Sequence, residues 1–579
     1  MSRGKDKHKT VPVRHRSITA FLCLVALAFV YGAFSPVAWS QNKKSVKRGV
    51  VAAQSGAKAR RVSRITPQIP GANRFQKNKV FLENADVLSA DERVSTDYQV
   101  LKGNVQFRRG DMYMYCDSAY FYDDTNSLDA FGNVRMTQGD TLTVTAEVLH
   151  YYGEDEVAQL RYNVRMENRS MTLLTDSLDY EIQSNVGYYF NKGTIVDSEN
   201  NELSSEFGRY ELDTKNAEFS SNVHLINDKY EMLTNLLNYN TQTHIATITE
   251  ETVVLSDSNT VYTSSGWYNT QTDETSLFDR SVVVTKDGTT LTGDTVYYNQ
   301  VKGMGEARGN MLITDTTHNV MLDGDYGFCD ENEQRSFATG RARAREFSEK
   351  DTLYLHGDTL RSFLDADSLH VLTASRFVRF YRKDMQGLCD SMAFNESDSI
   401  LRMYHHAIVW SGSRQISGEE INVHFVDSTA DVARLPNYGF MAEHVGEDTY
   451  YNQLKGKEMV AYFENEEVRR LDVNGNVEVL LFPQENDSTY NKVVNAESSY
   501  LKIDLKPKQE IDKITMWPEV TGKVTPLYLA KKSQLYLDSF NWYGSLRPVD
   551  PDDIFNVSDE MRELFAAPDP NARHRRSSK

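Results

Sequence analysis

Gly103-Asn104-Val105-Gln106-Phe107 is followed by Gly110-Asp111 and Tyr115-Cys116-Asp117-Ser118-Ala119-Tyr120. The pattern then starts again with Gly132-Asn133-Val134-Arg135-Met136, Gly139-Asp140 and Thr145-Ala146-Glu147-Val148-Leu149. Two columns keep this beat. An acidic or small polar residue falls at Asp86, Asp117, Glu147, Asp176, Glu206, Asn235, Ser264, Asp294, Asp325, Asp358, Asp390 and Glu419, with looser copies at Glu458 and Glu497. A valine falls at Val105, Val134, Val164, Val223, Val253 and Val282. A fixed period of about 30 residues is the mark of a repeat architecture.

Each repeat reads as two strands. Leu128, Ala130, Gly132, Val134 and Met136 alternate with other residues, as do Ala158, Leu160, Tyr162, Val164 and Met166. Period-two alternation argues for half-buried strands. Clusters such as Asp197-Ser198-Glu199-Asn200-Asn201 supply turn chemistry between them. The glycine before Asn-Val sits in mid-strand, where glycine marks a bulge or a sharp bend. A bend at the same place in every copy predicts an all-β fold. It would be an elongated antiparallel solenoid of stacked two-strand rungs, its sheet bent into a V and its apolar side chains pointing inward.

The chain divides into four regions. Residues 1–40 read as a signal peptide: a basic start, an apolar run from Ile18 to Phe34, and Ala38-Trp39-Ser40 before Gln41. No second apolar run is long enough to span a bilayer, so no transmembrane span is expected after signal cleavage. Residues 41–73 read as a basic disordered linker. Residues 74–505 hold the repeats. Residues 506–579 are Pro-rich, with Tyr528–Trp542 expected to cap the last rung, Ser558 to cap a short helix through Phe565, and Arg573-His574-Arg575-Arg576 to form a disordered tail.

Charge is uneven. Residues 1–73 hold fourteen Lys and Arg and a single acid, Asp6, a balance of +13; the chain carries −18, so the rest carries −31. A body this acidic is a poor nucleic-acid binder, because that affinity rests on neutralising phosphates.

The short motifs of enzymes are missing: there is no H-E-x-x-H, G-x-S-x-G, P-loop or C-x-x-C. No catalytic residue, metal site or cofactor is expected. His405-His406 read as strand neighbours pointing to opposite faces. The acidic column reads as a structural polar ladder at a solvated edge or against turn amides, since like charges in register repel. Cys116, Cys329 and Cys389 are too far apart along the repeat to pair, and are expected as buried thiols.

The residues Ala85-Asp86, Gly103-Asn104-Val105, Gly110-Asp111, Asp117, Gly132-Asn133-Val134, Gly139-Asp140 and Ala146-Glu147 resemble the OstA-like family. That family includes the periplasmic lipopolysaccharide transport protein LptA and the N-terminal domain of the translocon LptD. Echoes occur at Asn163-Val164, Asn222-Val223, Gly309-Asn310 and Gly475-Asn476-Val477. The resemblance implies a β-jelly-roll with a V-shaped cross-section, and a periplasmic lipid-binding protein, peripheral to the outer membrane, that carries or bridges lipopolysaccharide acyl chains. Its partners would be lipopolysaccharide or a related lipid, and other β-jelly-roll transport proteins stacked on its edge strands. Val105, Phe107, Val134, Met136, Leu160, Val164, Met166, Val223, Leu225, Val253 and Leu255 would line the lipid groove. From the residues alone, the same side chains could fill a closed core. The alternative is then a secreted β-solenoid scaffold that binds envelope proteins or polysaccharide through its edges and aromatic rows (Tyr120, Tyr122, Tyr151, Tyr152).

Overall fold

The computed structural model describes residues 79–566, apart from 90–97, 141, 169–170, 198–200, 257–258, 287, 318, 348–350, 427–428, 447–449, 466, 485–488 and 508–510. The expected signal peptide, basic linker and basic tail lie outside the described residues. Those described fall into two compact units, one of residues 79–257 with 261–272 and one of 259–260 with 273–566. Both units are built from antiparallel strands.

The first unit opens with β1 (Phe81–Asn84) and β2 (Val87–Ser89), followed by β3 (Gln99–Arg109), β4 (Met112–Tyr122), β5 (Ser127–Gln138), β6 (Leu142–Tyr152), β7 (Val157–Asn168) and β8 (Met171–Glu181). From β3 to β8 each strand pairs with the next. Every pairing breaks register at mid-strand: between Lys102 and Val105 in β3, for example, two residues oppose the single Asp117 of β4. This is the bulge that the mid-strand glycine announced.

At each bulge two successive residues take left-handed backbone. Gly103-Asn104 have φ of 79° and 43°, Gly132-Asn133 74° and 48°, Tyr162-Asn163 65° and 52°, and Ser221-Asn222 66° and 52°. The second unit repeats this at Gly309-Asn310, Arg376-Phe377, His405-His406 and Gly475-Asn476. Left-handed backbone is costly for most side chains and cheap for Gly and Asn. His405 and His406 are thus corner residues rather than an alternating strand pair, and the His405 ring lies 2.7 Å from Glu419 Oε1. Tyr162, expected in the inward row, is a corner residue too and is exposed.

The corner explains the acidic column. Asn104 Nδ2 donates to Asp86 Oδ2 at 2.9 Å, Asn133 to Asp117 at 2.8 Å, Asn222 to Glu206 at 2.7 Å and Asn310 to Asp294 at 2.8 Å; Asn163 makes the same bond to Glu147. The acid's own backbone N–H closes the loop, as in Asp86 N to Gly103 O at 2.9 Å. At these five positions the column acts as a row of clamps, each fastening a corner to the preceding strand. At the acid the partner strand also changes face. Met112, Met114 and Cys116 are buried before Asp117, whereas Ala119 and Phe121 are buried after it. A strict period-two reading cannot follow that change of phase.

In the second unit, strands run to Pro526, because Ile511–Trp517 and Thr521–Pro526 both pair with Lys492–Leu505. The repeat therefore extends beyond residue 505. The segment after it first packs Leu527, Ala530, Leu535 and Leu537 against Leu480, Phe482 and Val493 of the last long strands, and then runs back along the outward face of earlier ones. Gln453 bonds Leu535 O at 3.0 Å and Leu537 N at 2.8 Å. Gln415 bonds Asn541 O at 2.9 Å and Tyr543 N at 2.8 Å. Arg547 Nε donates to Gln386 Oε1 at 2.7 Å, and Arg379 donates to Leu546 O at 3.1 Å and to the carbonyls of Asp553 and Asn556. Helix α1 (Asp559–Ala566) completes the strap, capped by Ser558 Oγ accepting from Met561 N at 3.2 Å. The strap covers Leu388, Ile408 and Trp410, which face outward and are buried under Leu546 and Met561. An outward apolar face demands such a cover.

Gly132→Val would place a β-branched residue in left-handed backbone, with its Cβ 2.7 Å from Asp117 Oδ2. A loss of about 2–4 kcal/mol is expected. Asn133→Ala removes only the clamp, and a loss of about 1 kcal/mol is expected. The midpoint of urea unfolding, followed by circular dichroism, checks both; equal losses would show that the clamp and not the backbone dominates.

Glu346 is 8% exposed, in register with Leu353 and Val320. Burial pushes its carboxyl up to about 7, with Arg382 acting in the opposite sense. The folded protein therefore binds more proton than the unfolded chain between about pH 4.5 and 7, so this group's contribution to stability falls as pH rises through that window. Glu346→Gln is expected to raise the melting temperature relative to the parent at pH 8 and to leave it nearly unchanged at pH 4.5. Glu331, also raised to about 7 by burial, is present in both proteins, so the difference isolates Glu346.

Candidate functional site: the apolar interior

The inward residues of both strand halves in the first unit belong to one cluster. Val105 faces Cys116, Phe107 faces Met114, Val134 faces Ala146, Met136 faces Met114 and Val144, and Leu160 faces Leu149 and Leu178. Val164 faces Thr175, Met166 faces Val144 and Leu173, Val223 faces Thr234 and Leu225 faces Met232. Eight of these predicted residues are buried, and Leu225 is half-buried against the same cluster. Phe107 and Leu160 are 0% exposed. The interior is a filled core at this point.

Val253 and Leu255 lie elsewhere. Thr234 faces Val223 on one side and Thr252 on the other, so Thr252 occupies the inward position. Val253 is in register with the exposed Leu233 and Leu255 with Glu231, on the opposite face from Val254, which packs on the core. The valine column slipped by one because Thr252 can be buried: its hydroxyl lies 2.9 Å from both Glu250 O, to which it can donate, and the Thr234 hydroxyl, from which it can accept. Thr252-Val253-Val254-Leu255 has no polar alternation to reveal the face.

The corners fold each strand so that its two ends approach across the core. One row of ends comprises Lys79, Val80, Arg109 and Gln138; the other comprises the turns after β4 and β6 and the end of β8. Lys79 Nζ lies 3.4 Å from Asp123, Val80 N donates to Asn126 Oδ1 at 2.8 Å, and Arg109 NH2 pairs with Glu156 at 2.9 Å. The Tyr180 hydroxyl lies 3.5 Å from Gln138 Oε1. These contacts form a seam that shuts the interior from solvent. Arg109 follows Val105 and Phe107 on the inward row and is 8% exposed. Its guanidinium stands over the Tyr151 ring at 5.9 Å. Tyr151 was expected in an outward aromatic row; it is inward and 1% exposed, and burial pushes its phenol up. Periodicity would place Arg109 inward, but its charge argued against that position, and no sequence signal tied it to Glu156.

In the second unit the interior keeps a cavity of about 30 Å³, lined by Ala344, Leu355, Leu360, Leu372, Met392 and Phe394 among others. It holds a water or a methyl group, not an acyl chain. Alanines opposite leucines leave the gap.

Among the described residues no group of three or more His, Cys, Asp or Glu could hold a metal ion. Cys116, Cys329 and Cys389 are unpaired and buried; burial pushes the thiols of Cys116 and Cys329 up to about 11 and 12. Such thiols are inert.

Residues 77–235 match the model of a family described as OstA-like protein. Residues 268–428 match that of the LptA/(LptD N-terminal domain) LPS transport protein. No curated protein matches the chain. Among solved structures it is similar to LptH of Pseudomonas aeruginosa, described as the LptA homologous periplasmic component of the conserved lipopolysaccharide transport device. The two are 12% identical, with 23% of this chain and 95% of that chain covered and a TM-score of 0.17. The two family models together take in more than half of its residues, and the chain belongs to the OstA-like family of LptA and LptD N-terminal-domain lipopolysaccharide transport proteins.

Proposed function

We propose that the protein is a transport protein and not an enzyme, and that it carries or bridges the acyl chains of lipopolysaccharide, or of a related lipid, through the periplasm toward the outer membrane. The observation that carries this reading is the inward face, which stays apolar from rung to rung within each unit. Each methylene moved from water to such a wall contributes roughly 0.8 kcal/mol, so one chain could be held by several kcal/mol. Along the apolar rows between the few inward polar groups, such as Arg109, Thr252 and Glu346, the chain can slide; direction must come from a partner.

The closed core sets a condition on this reading. The inward residues of the first unit are packed against one another, so on this reading the strand halves part to admit an acyl chain. The seam is where they can do so, since its contacts are few and polar. The groove then consists of Val105, Phe107, Val134, Met136, Leu160, Val164, Met166, Val223 and Leu225, with Val253 and Leu255 removed from it.

Partners would join at the strand edges. β1 and β2 each pair with β3 alone, and Phe81, Val87 and Leu88 are exposed there. Ile511–Trp517 and Thr521–Pro526 each pair with one strand and expose Ile511, Ile514, Trp517 and Val524. Unpaired apolar edges invite strand addition by another β-sheet protein. No helix among the described residues is long and apolar enough to cross a membrane.

The complete burial of Phe107 and Leu160 favours the scaffold alternative, in which the core never opens. Photocrosslinking to lipopolysaccharide in cells separates the two. Adducts are expected with the crosslinker at Val134, Val164 or Phe394, and not at the outward Arg135 or Arg165. Folded protein that gives no adduct at any inward site would establish the scaffold.

A further inference from the structure

The seam of the first unit contains unspent hydrogen-bonding capacity. Arg109 ends an inward row that is otherwise apolar. Its NH2 pairs with Glu156 at 2.9 Å; its Nε is buried and makes no hydrogen bond. The Tyr151 hydroxyl, under the same guanidinium, is likewise buried and has no acceptor for its proton, its one polar neighbour being the Arg109 donor itself. Two idle donors beside one ion pair are costly in a closed core, because a buried donor left unmade forfeits its hydration. They suit a second oxygen-rich anion that would engage the guanidinium through two parallel N–H groups and take the phenol hydrogen bond as well.

The geometry points to Arg109 and Tyr151 as a recognition point for the phosphate of an anionic amphiphile, which displaces the Glu156 carboxylate and so opens the seam to the acyl chains that follow. This rests on the lipid-carrying reading above and adds to it a headgroup preference and a place of entry. The exchange conserves charge: one anion leaves the guanidinium as another arrives, so the buried cation is never unpaired. Glu156 sits in the turn after β6 and is less buried than Arg109, so the released carboxylate can turn to solvent. A neutral amphiphile has no means of displacing it and meets a closed seam. The other seam contacts, Lys79–Asp123 and Val80–Asn126, then separate in sequence with the strand ends that carry them.

The test uses the purified full chain with tail-labelled diphosphoryl lipid A, the same lipid after dephosphorylation, and inorganic phosphate, with binding read by fluorescence anisotropy. The parent is expected to bind the phosphorylated lipid about tenfold more tightly than the dephosphorylated one. Arg109→Met should bring that ratio down to about one, with Arg109→Lys retaining part of it. Glu156→Gln, which removes the competing charge and keeps the side-chain size, should widen the ratio by about fivefold. Inorganic phosphate at millimolar concentration should not displace the lipid.

An unchanged ratio in Arg109→Met, or a ratio left as it was in folded Glu156→Gln, would overturn the exchange while leaving lipid carriage in place. Displacement by free phosphate would make the site an ion site and remove the headgroup assignment. Failure of the parent to bind either lipid would overturn lipid carriage and the exchange with it. Urea midpoints measured alongside keep a folding defect in Arg109→Met from being read as lost recognition, and Glu156→Gln then decides.

Discussion

Everything in this protein depends on a corner that most sequences avoid. Two successive residues in left-handed backbone turn a strand in its middle, and without that turn the two apolar halves could not face each other across one core. The strain is met locally: glycine removes the Cβ at the first position, asparagine tolerates the second, and its side-chain amide is spent on the acid of the preceding strand. Because the clamp ties each corner to its neighbour, it also sets the register between strands. A slip by one residue would set Asn opposite the wrong side chain and turn the inward row outward.

Where glycine is absent, as at Tyr162-Asn163, Ser221-Asn222 and His405-His406, the corner persists. The clamp and the flanking pairing evidently hold the backbone there at a cost of about 1–2 kcal/mol for each such residue. The same few groups thus shape the interior and make it uniform. A wall built from repeated corners presents similar apolar rows at each step.

Much of this could be read in the chain beforehand, because the signals were local and repeated. The 30-residue beat, the bulge at Gly-Asn and the inward positions of Val105 to Met166 follow from spacing and alternation. What escaped was of another kind. The change of face at Asp117 and Asp176 is a consequence of the partner strand's corner, so no pattern within one strand shows it. Thr252 took an inward place because its hydroxyl had partners in Thr234 of the facing strand and in the nearby Glu250 carbonyl. The strap could not be foreseen since Ala407-Ile408-Val409-Trp410 says that both faces are buried without saying by what. The seam joins residues such as Arg109 and Glu156, which periodicity treats as unrelated.

The strap has a consequence for how the chain comes into being. Trp410, Ile408 and Leu388 are made, and would cross any membrane, well before residues 543–566 that cover them. During that interval a broad apolar face stands open on strands already able to pair. Incomplete chains therefore share an adhesive surface that the finished protein hides, and an escort that binds extended apolar chains would be needed over the interval. The buried glutamines and arginine that hold the strap, Gln386, Gln415, Gln453 and Arg379, then act as a proofreading row. Gln386, Gln415 and Gln453 each hold one hydrogen bond within the sheet as well, and their remaining bonds form when the last segment arrives.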